Sequence, residues 1–155
     1  MAIKIFIDQG HNPRNINAGA EGFGLREQDI TYNVGRYLAD LLNKDPRFEA
    51  RTSRNTPEEI LGTNNSTSLA RRVELANSWP ANYFLSIHTN ANTNGVRVRP
   101  SLYVLRKTTM PSALIELAYI TNQSDAEKLR DDQYQFAYAI YEGLLSYFGF
   151  ENINY

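Results

Sequence analysis

Four residues, His11, Glu27, His88 and Glu116, have the types and the placing that hydrolytic chemistry needs. The chain has only two histidines, His11 and His88. Each closely follows a run that reads as a buried strand: Lys4-Ile5-Phe6-Ile7-Asp8-Gln9-Gly10-His11, and Tyr83-Phe84-Leu85-Ser86-Ile87-His88. In open α/β sheets, sites form beyond the carboxyl ends of the strands. Two imidazoles and one carboxylate make a common catalytic zinc shell, with a fourth position left for water. The pattern points first to a zinc hydrolase.

Each residue also has a plainer reading. A histidine at a strand end is often a hydrogen-bonded structural residue. Two of them, both past apolar strands in a chain with no others, shift the balance toward a shared ligand. Glu27 sits where a helix begins, and acidic residues favour that first turn for dipole reasons alone. No local metal motif of the His-Glu-x-x-His kind decides its role. Glu116 interrupts the nearly apolar run Ala113-Leu114-Ile115-Glu116-Leu117-Ala118 and shares a strand face with Leu114 and Ala118. A carboxylate buried there is costly unless paired or protonated. Beside a metal-activated water, such a group would suit a general base.

These residues need a scaffold, and the pattern supplies one. Ile3 to Ile7 alternates and is β-branched, which predicts a strand. Residues 10–24 form a polar, glycine- and asparagine-rich loop. A helix follows from Leu25–Glu27, with Ile30, Val34, Leu38, Leu41 and Leu42 on one stripe. Phe48 to Ser53 reads as a second strand, and residues 55–67 as loop with a helical turn near Pro57–Leu61. Ser68 to Ser78 reads as a helix with Leu69, Val73 and Ala76 inside and Arg71, Arg72 and Glu74 outside or at the rim. Tyr83 to Ile87, Leu102 to Leu105 and Ala113 to Ala118 read as further strands. Ser124-Asp125-Ala126-Glu127 looks like a capping box for a short helix. A last helix runs from Tyr134 to Phe148, with Gly149 after it. The expected fold is α/β: a three-layer sandwich with a central, largely parallel mixed sheet flanked by helices. One connection does not fit. Parallel neighbours need a crossover of about a dozen residues or more, usually helical, and residues 88–101 have no helical period.

Length and composition agree with this. The chain of 155 residues fits one domain, residues 1–155, and a domain of that size buries roughly 68–70% of its unfolded surface. A net charge of -1 gives no case for nucleic acid or an anionic membrane. With no cysteine, disulfides and thiolate metal sites are excluded. The 10 tyrosines suit a sugar-like partner but are first read as core. No leader pattern is visible at the start, and no run approaches the ~18–20 apolar residues of a membrane span. A monomer is expected.

At these residues the chain resembles the zinc-dependent N-acetylmuramoyl-L-alanine amidases that cut bacterial peptidoglycan, over nearly its whole length and in order. Ile7-Asp8-Gln9-Gly10-His11 is similar to the family's opening Asp-x-Gly-His, and Gly24-Leu25-Arg26-Glu27 to its second ligand segment. Thr52-Ser53-Arg54 and Leu69-Ala70-Arg71-Arg72-Val73-Glu74-Leu75-Ala76-Asn77 are similar to its Thr-Arg and Leu-x-x-Arg-x-x-x-Ala-Asn elements. Ser86-Ile87-His88-Thr89-Asn90 is similar to its Ser-Ile-His-x-Asn box. Tyr103-Val104-Leu105-Arg106 and Met110-Pro111-Ser112-Ala113-Leu114-Ile115-Glu116 are similar to its closing elements. The resemblance implies Zn2+ held by His11, Glu27 and His88, with Glu116 as the catalytic glutamate. It implies cleavage of the amide between N-acetylmuramic acid and L-alanine, by an autolysin or endolysin acting on the cell wall after secretion or lysis. Asn90, Asn92 and the loop from Asn12 to Gly24 are expected to line a groove for the stem peptide.

Two departures stand out. Thr52-Ser53-Arg54 carries one extra residue. The family also has a strand and helix between the Ser-Ile-His box and the Val-Leu-Arg element, where this chain passes from Asn94 to Gly95. A natural deletion, an engineered one or an omitted loop would each leave such a break; the last two are favoured, because losing a strand opens a sheet edge. Two other functions fit the same fold: a non-catalytic peptidoglycan-binding module, and a zinc peptidase acting on stem peptides.

Overall fold

Alternation along the first strand decides the layering. The computed structural model describes residues 1–90 and 101–152. In β1 (Ile3–Gln9), Ile5 and Ile7 pack into one apolar cluster and Phe6 into another, on opposite faces of the sheet. The first cluster is completed by α1 (Glu27–Lys44) and α5 (Gln133–Phe148), through Ile30, Val34, Leu38, Leu42, Ala137, Tyr141 and Leu145. The second is completed by α2 (Asn65–Ser78) and α3 (Tyr103–Lys107), through Val73, Ala76, Trp79 and Val104.

Between them lies a four-stranded sheet in the order β4-β1-β5-β6, where β4 is Phe48–Thr52, β5 is Tyr83–Asn90 and β6 is Ser112–Tyr119. All its pairings are parallel, so the carboxyl ends of its strands share one edge of the molecule. A small antiparallel hairpin, β2 (Glu21–Gly22) and β3 (Leu25–Arg26), stands just before α1. Helix α4 (Gln123–Asp131) follows β6. No helix among the described residues is long and apolar enough to cross a membrane.

Several expectations need correction. The apolar run Leu102 to Leu105 is not a strand: it forms α3, with Val104 buried against the second cluster. Periodicity cannot separate strand from helix over so short a run. The β5–β6 connection therefore contains a helix after all, and β6 is the parallel neighbour of β5. Helix α2 starts at Asn65, three residues earlier than expected, because Asn64 and Thr67 form a reciprocal capping box. Helix α4 is capped by the Asn122 side chain, which accepts from the Asp125 N–H, so Ser124 is not the cap. The break near Asn94-Gly95 lies outside the described residues.

The outer edge of β4 is closed by a side chain. The Asn43 carboxamide accepts from the Ala50 N–H at 2.7 Å and donates to the Ala50 carbonyl at 3.1 Å, the two bonds a neighbouring strand would make. Beyond α1, fully buried Asp45 takes Arg47 at 2.6 Å and the Tyr141 hydroxyl at 2.8 Å, tying the start of β4 to α5. The Arg47 hydrogen bonds outweigh burial and hold the Asp45 carboxyl below its ordinary 3.8. A depressed folded value contributes stability above the unfolded value and loses it as pH falls through the folded one. Asp45→Asn should therefore lower stability at neutral pH by about 1–2 kcal/mol, or about 2–8 °C. The gap in melting temperature should be constant above roughly pH 5 and close below 3.8, where only the parent loses the ion pair. Calorimetry across that range reads it directly.

Candidate metal centre

The polar site grows out of one face of the sheet. Along β5, Phe84, Ser86 and His88 share the face that packs on α2, passing from apolar to polar toward the strand's carboxyl end. Beside them on β1, Phe6 gives way to Asp8. His88 lies inside β5 rather than past it, just before a register irregularity between His88 and Asn90. His11 follows β1 by two residues and has a left-handed backbone, φ 68°. Glu27 is the first residue of α1 and is 4% exposed.

These three converge. His11 Nε2 lies 3.2 Å from Glu27 Oε2, His88 Nδ1 lies 3.2 Å from Glu27 Oε1, and the two ring nitrogens are 3.1 Å apart. The rings meet edge to face. His11 Nδ1 is 3.1 Å from the Asn17 carbonyl. A carbonyl only accepts, so Nδ1 carries the proton and Nε2 turns a lone pair toward Glu27 and His88. Glu27 is oriented by main-chain donors: Ala20 N–H to Oε2 and Thr89 N–H to Oε1, both at 2.9 Å. Burial pushes its carboxyl up, but the His11 and His88 rings beside it and the Ala20 N–H outweigh that and hold it well below the usual carboxylate range. Glu27 is therefore an anion at neutral pH. Lone pairs and negative charge aimed at one point form a cation site, and the three residues fit a metal ion.

Glu116 is the register partner of His88 on the adjacent strand β6, so the two side chains leave the sheet on the same face. It is exposed, not buried as its apolar neighbours suggest. Being on an edge strand of the described sheet, near the strand ends, lets water reach it.

Other expectations change as well. Asn12 is fully buried and lines no groove: its carboxamide holds Leu61 through both main-chain groups and also donates to Ser68. Asn92 lies outside the described residues. Arg72 is not at the rim of α2 but 1% exposed. Nothing in the sequence marks the Asn17 carbonyl or the Ala20 and Thr89 amides, because main-chain groups carry no residue signature. Two clefts among the described residues lie elsewhere. One of about 900 Å³ is lined by Arg36, Arg51 and Trp79, and another of about 610 Å³ by Ile60, Thr63 and Arg71. Neither is lined by His11, Glu27 or His88.

Comparison with known proteins bears on this geometry. The family model described as N-acetylmuramoyl-L-alanine amidase matches residues 5–99 and 92–146. The amidase LytC of Bacillus subtilis (strain 168) is 33% identical over 186 residues, covering 93% of this chain and 35% of LytC. The amidase CwlM of Bacillus licheniformis is 31% identical, covering 85% of this chain and 62% of CwlM. The chain thus spans about a third to three fifths of these relatives' length. The crystal structure of N-acetylmuramoyl-L-alanine amidase from Clostridium difficile 630 superposes with a TM-score of 0.79 at 26% identity, covering 97% of this chain and 99% of that one. The LytC alignment is longer than this whole chain of 155 residues, and the family match splits at residues 92–99.

Two glycines let the donors approach. A Cβ on Gly10 would stand 2.6 Å from His88 Cε1, and one on Gly19 would stand 2.7 Å from Glu27 Cβ and 2.9 Å from His11 Cδ2. Gly19→Ala should push Glu27 and His11 apart and weaken divalent-metal binding by about tenfold or more. Equilibrium dialysis followed by elemental analysis measures this; parent-like retention would show that the loop gives way instead.

Proposed function

The chain belongs to the N-acetylmuramoyl-L-alanine amidase family, and from that premise we propose that it is a zinc hydrolase of bacterial peptidoglycan. The bond cut is the amide between the lactyl group of N-acetylmuramic acid and L-alanine. The observation that carries this reading is the convergence of His11, Glu27 and His88 at 3.1–3.2 Å. Zinc bonds to nitrogen and oxygen of 2.0–2.2 Å, set tetrahedrally, put ligand atoms roughly 3.3 Å apart. The donor spacing supports zinc, and so does the His/His/carboxylate donor set.

When bound, zinc supplies Lewis acidity: it polarises the scissile carbonyl and makes water acidic enough to attack near neutral pH. The chain supplies the rest. The Asn17 carbonyl fixes the His11 tautomer, and the Ala20 and Thr89 amides fix Glu27. Glu116, beside His88, takes a proton from the attacking water and delivers it to the alanine nitrogen as the C–N bond breaks. The products are a lactyl carboxylate and a free L-alanine amino terminus. On this reading, residues 1–155 act as one catalytic domain and as a monomer, on the cell wall, after secretion or lysis.

Glu116→Gln should retain about one zinc per chain and lose on the order of 10²–10⁴ in rate. His88→Ala should lose the zinc itself. Elemental analysis beside end-group analysis of digested peptidoglycan separates the cases. Chelator-sensitive release of L-alanine amino termini supports the amidase. Release of a free amino acid would indicate a stem-peptide peptidase, and zinc without any release a binding module. Full activity in Glu116→Gln would remove that residue from the chemistry.

A further inference from the structure

Among the largest fully buried side chains are two arginines, Arg54 and Arg72, each 1% exposed. Neither touches the three donor side chains. Arg72 reaches from α2 through the sheet's polar face. Its Nη1 donates to Asp8 Oδ1 and to the Gln9 carbonyl, both at 2.6 Å. Its Nη2 donates to the His11 carbonyl at 2.8 Å and to Asn12 Oδ1 at 3.2 Å. One planar guanidinium thus spans the end of β1 and the two residues that follow Gly10. Asp8 is held in turn by the Ser86 hydroxyl at 2.8 Å, on the strand that carries His88.

The backbone it grips is in an unfavourable state. His11 has φ 68°, a conformation that is strained for an L-residue unless its surroundings impose it. That conformation aims the ring at Glu27 and His88. The His11 carbonyl has its bond from Arg72, and the next amide, Asn12 N–H, bonds the Asn17 carbonyl at 3.0 Å. The same Asn17 carbonyl fixes the His11 tautomer. Arg54 makes a related bond on the other side, from its guanidinium to the Gln28 carbonyl at 2.6 Å, one residue past Glu27.

We propose that Arg72 is a positioning residue of the candidate metal centre: by gripping the His11 carbonyl, it holds His11 in its left-handed conformation and keeps Nε2 aimed at the point where Glu27 and His88 converge. The inference rests on the zinc reading above and adds a residue to it. Arginine suits the task because its two terminal nitrogens lie in a fixed fork. A lysine has a single nitrogen, so it lacks the fork by which Arg72 reaches Asp8 and the His11 carbonyl from separate nitrogens.

Two variants test this with crossed expectations. Arg72→Lys keeps a cation beside Asp8 and drops the grip on His11. Asp8→Asn keeps the grip and drops the charge partner. Zinc affinity is measured by competition with a chromophoric chelator, and the melting temperature is measured on the metal-free proteins. Arg72→Lys should bind zinc about 10–100-fold more weakly in a chain that is still folded. Asp8→Asn should lose more melting temperature than Arg72→Lys, yet stay within about threefold of parental zinc affinity. Parental affinity in Arg72→Lys overturns the proposal. So does an affinity loss in a folded Asp8→Asn that matches its loss of stability, since that is what a purely structural role gives. Should Arg72→Lys not fold, the Asp8→Asn result still decides. A parent protein that takes up no zinc sinks the zinc reading and this inference together; parental zinc with an unaffected Arg72→Lys sinks this inference alone.

Discussion

The ion pair between Asp8 and Arg72 is the interaction around which the carboxyl edge of the sheet is organised. Both partners are 1% exposed, with Nη1 and Oδ1 2.6 Å apart. Removing two charges from water costs several kcal/mol per ion, recovered only when the geometry is good and the remaining polar atoms are satisfied. Here they nearly are. Asp8 also accepts from Ser86, and Arg72 reaches four further oxygens, on Gln9, Ser53, His11 and Asn12, leaving only its Nε without a partner. Burial pushes the Asp8 carboxyl up, but the Arg72 charge and hydrogen bonds outweigh it and hold the carboxyl below its ordinary value. One pair thereby joins β1, β5, α2 and the loop after β1.

Around that pair the three candidate metal donors come from distant parts of the chain. His11 belongs to the loop after β1, Glu27 to the first turn of α1 and His88 to β5, 77 residues from His11. Main-chain groups orient His11 and Glu27, and the bare backbone of Gly10 lies close against the His88 ring. The loop at Asn17–Ala20 serves both His11 and Glu27, through one carbonyl and one amide. A loop of glycines and asparagines does this well, since it brings bare backbone against ligands that a Cβ would displace.

Much of this was legible in the residues. The β-branched alternation from Ile3, the stripe on α1 and the histidines beyond apolar runs follow from period and type alone. The illegible parts share a physical cause. Arg72 sits one residue from exposed Arg71 on α2, and a helical charge next to another charge reads as a solvated face. Only the depth of Asp8 below it says otherwise, and depth is a tertiary property. Asn12 reads as a groove residue because asparagine is polar, but its carboxamide serves as a buried brace for Leu61. Helix α3 reads as a strand because five residues are fewer than two helical turns. Glu116 reads as buried because its neighbours in sequence are apolar, whereas it is exposed on β6, an edge strand of the described sheet.

The Asn43 carboxamide against Ala50 bears on how copies of this chain behave toward one another. A sheet edge with free donors and acceptors is a template on which another chain can add a strand, and such addition starts aggregates and fibrils. At the middle of β4 that template is already filled by the chain's own helix, at the distances a strand would use. The plug is built into α1, which also carries Glu27, so it is in place whenever that helix is docked. Colloidal solubility on this side of the sheet is therefore coupled to the folding of the same helix that completes the candidate metal centre.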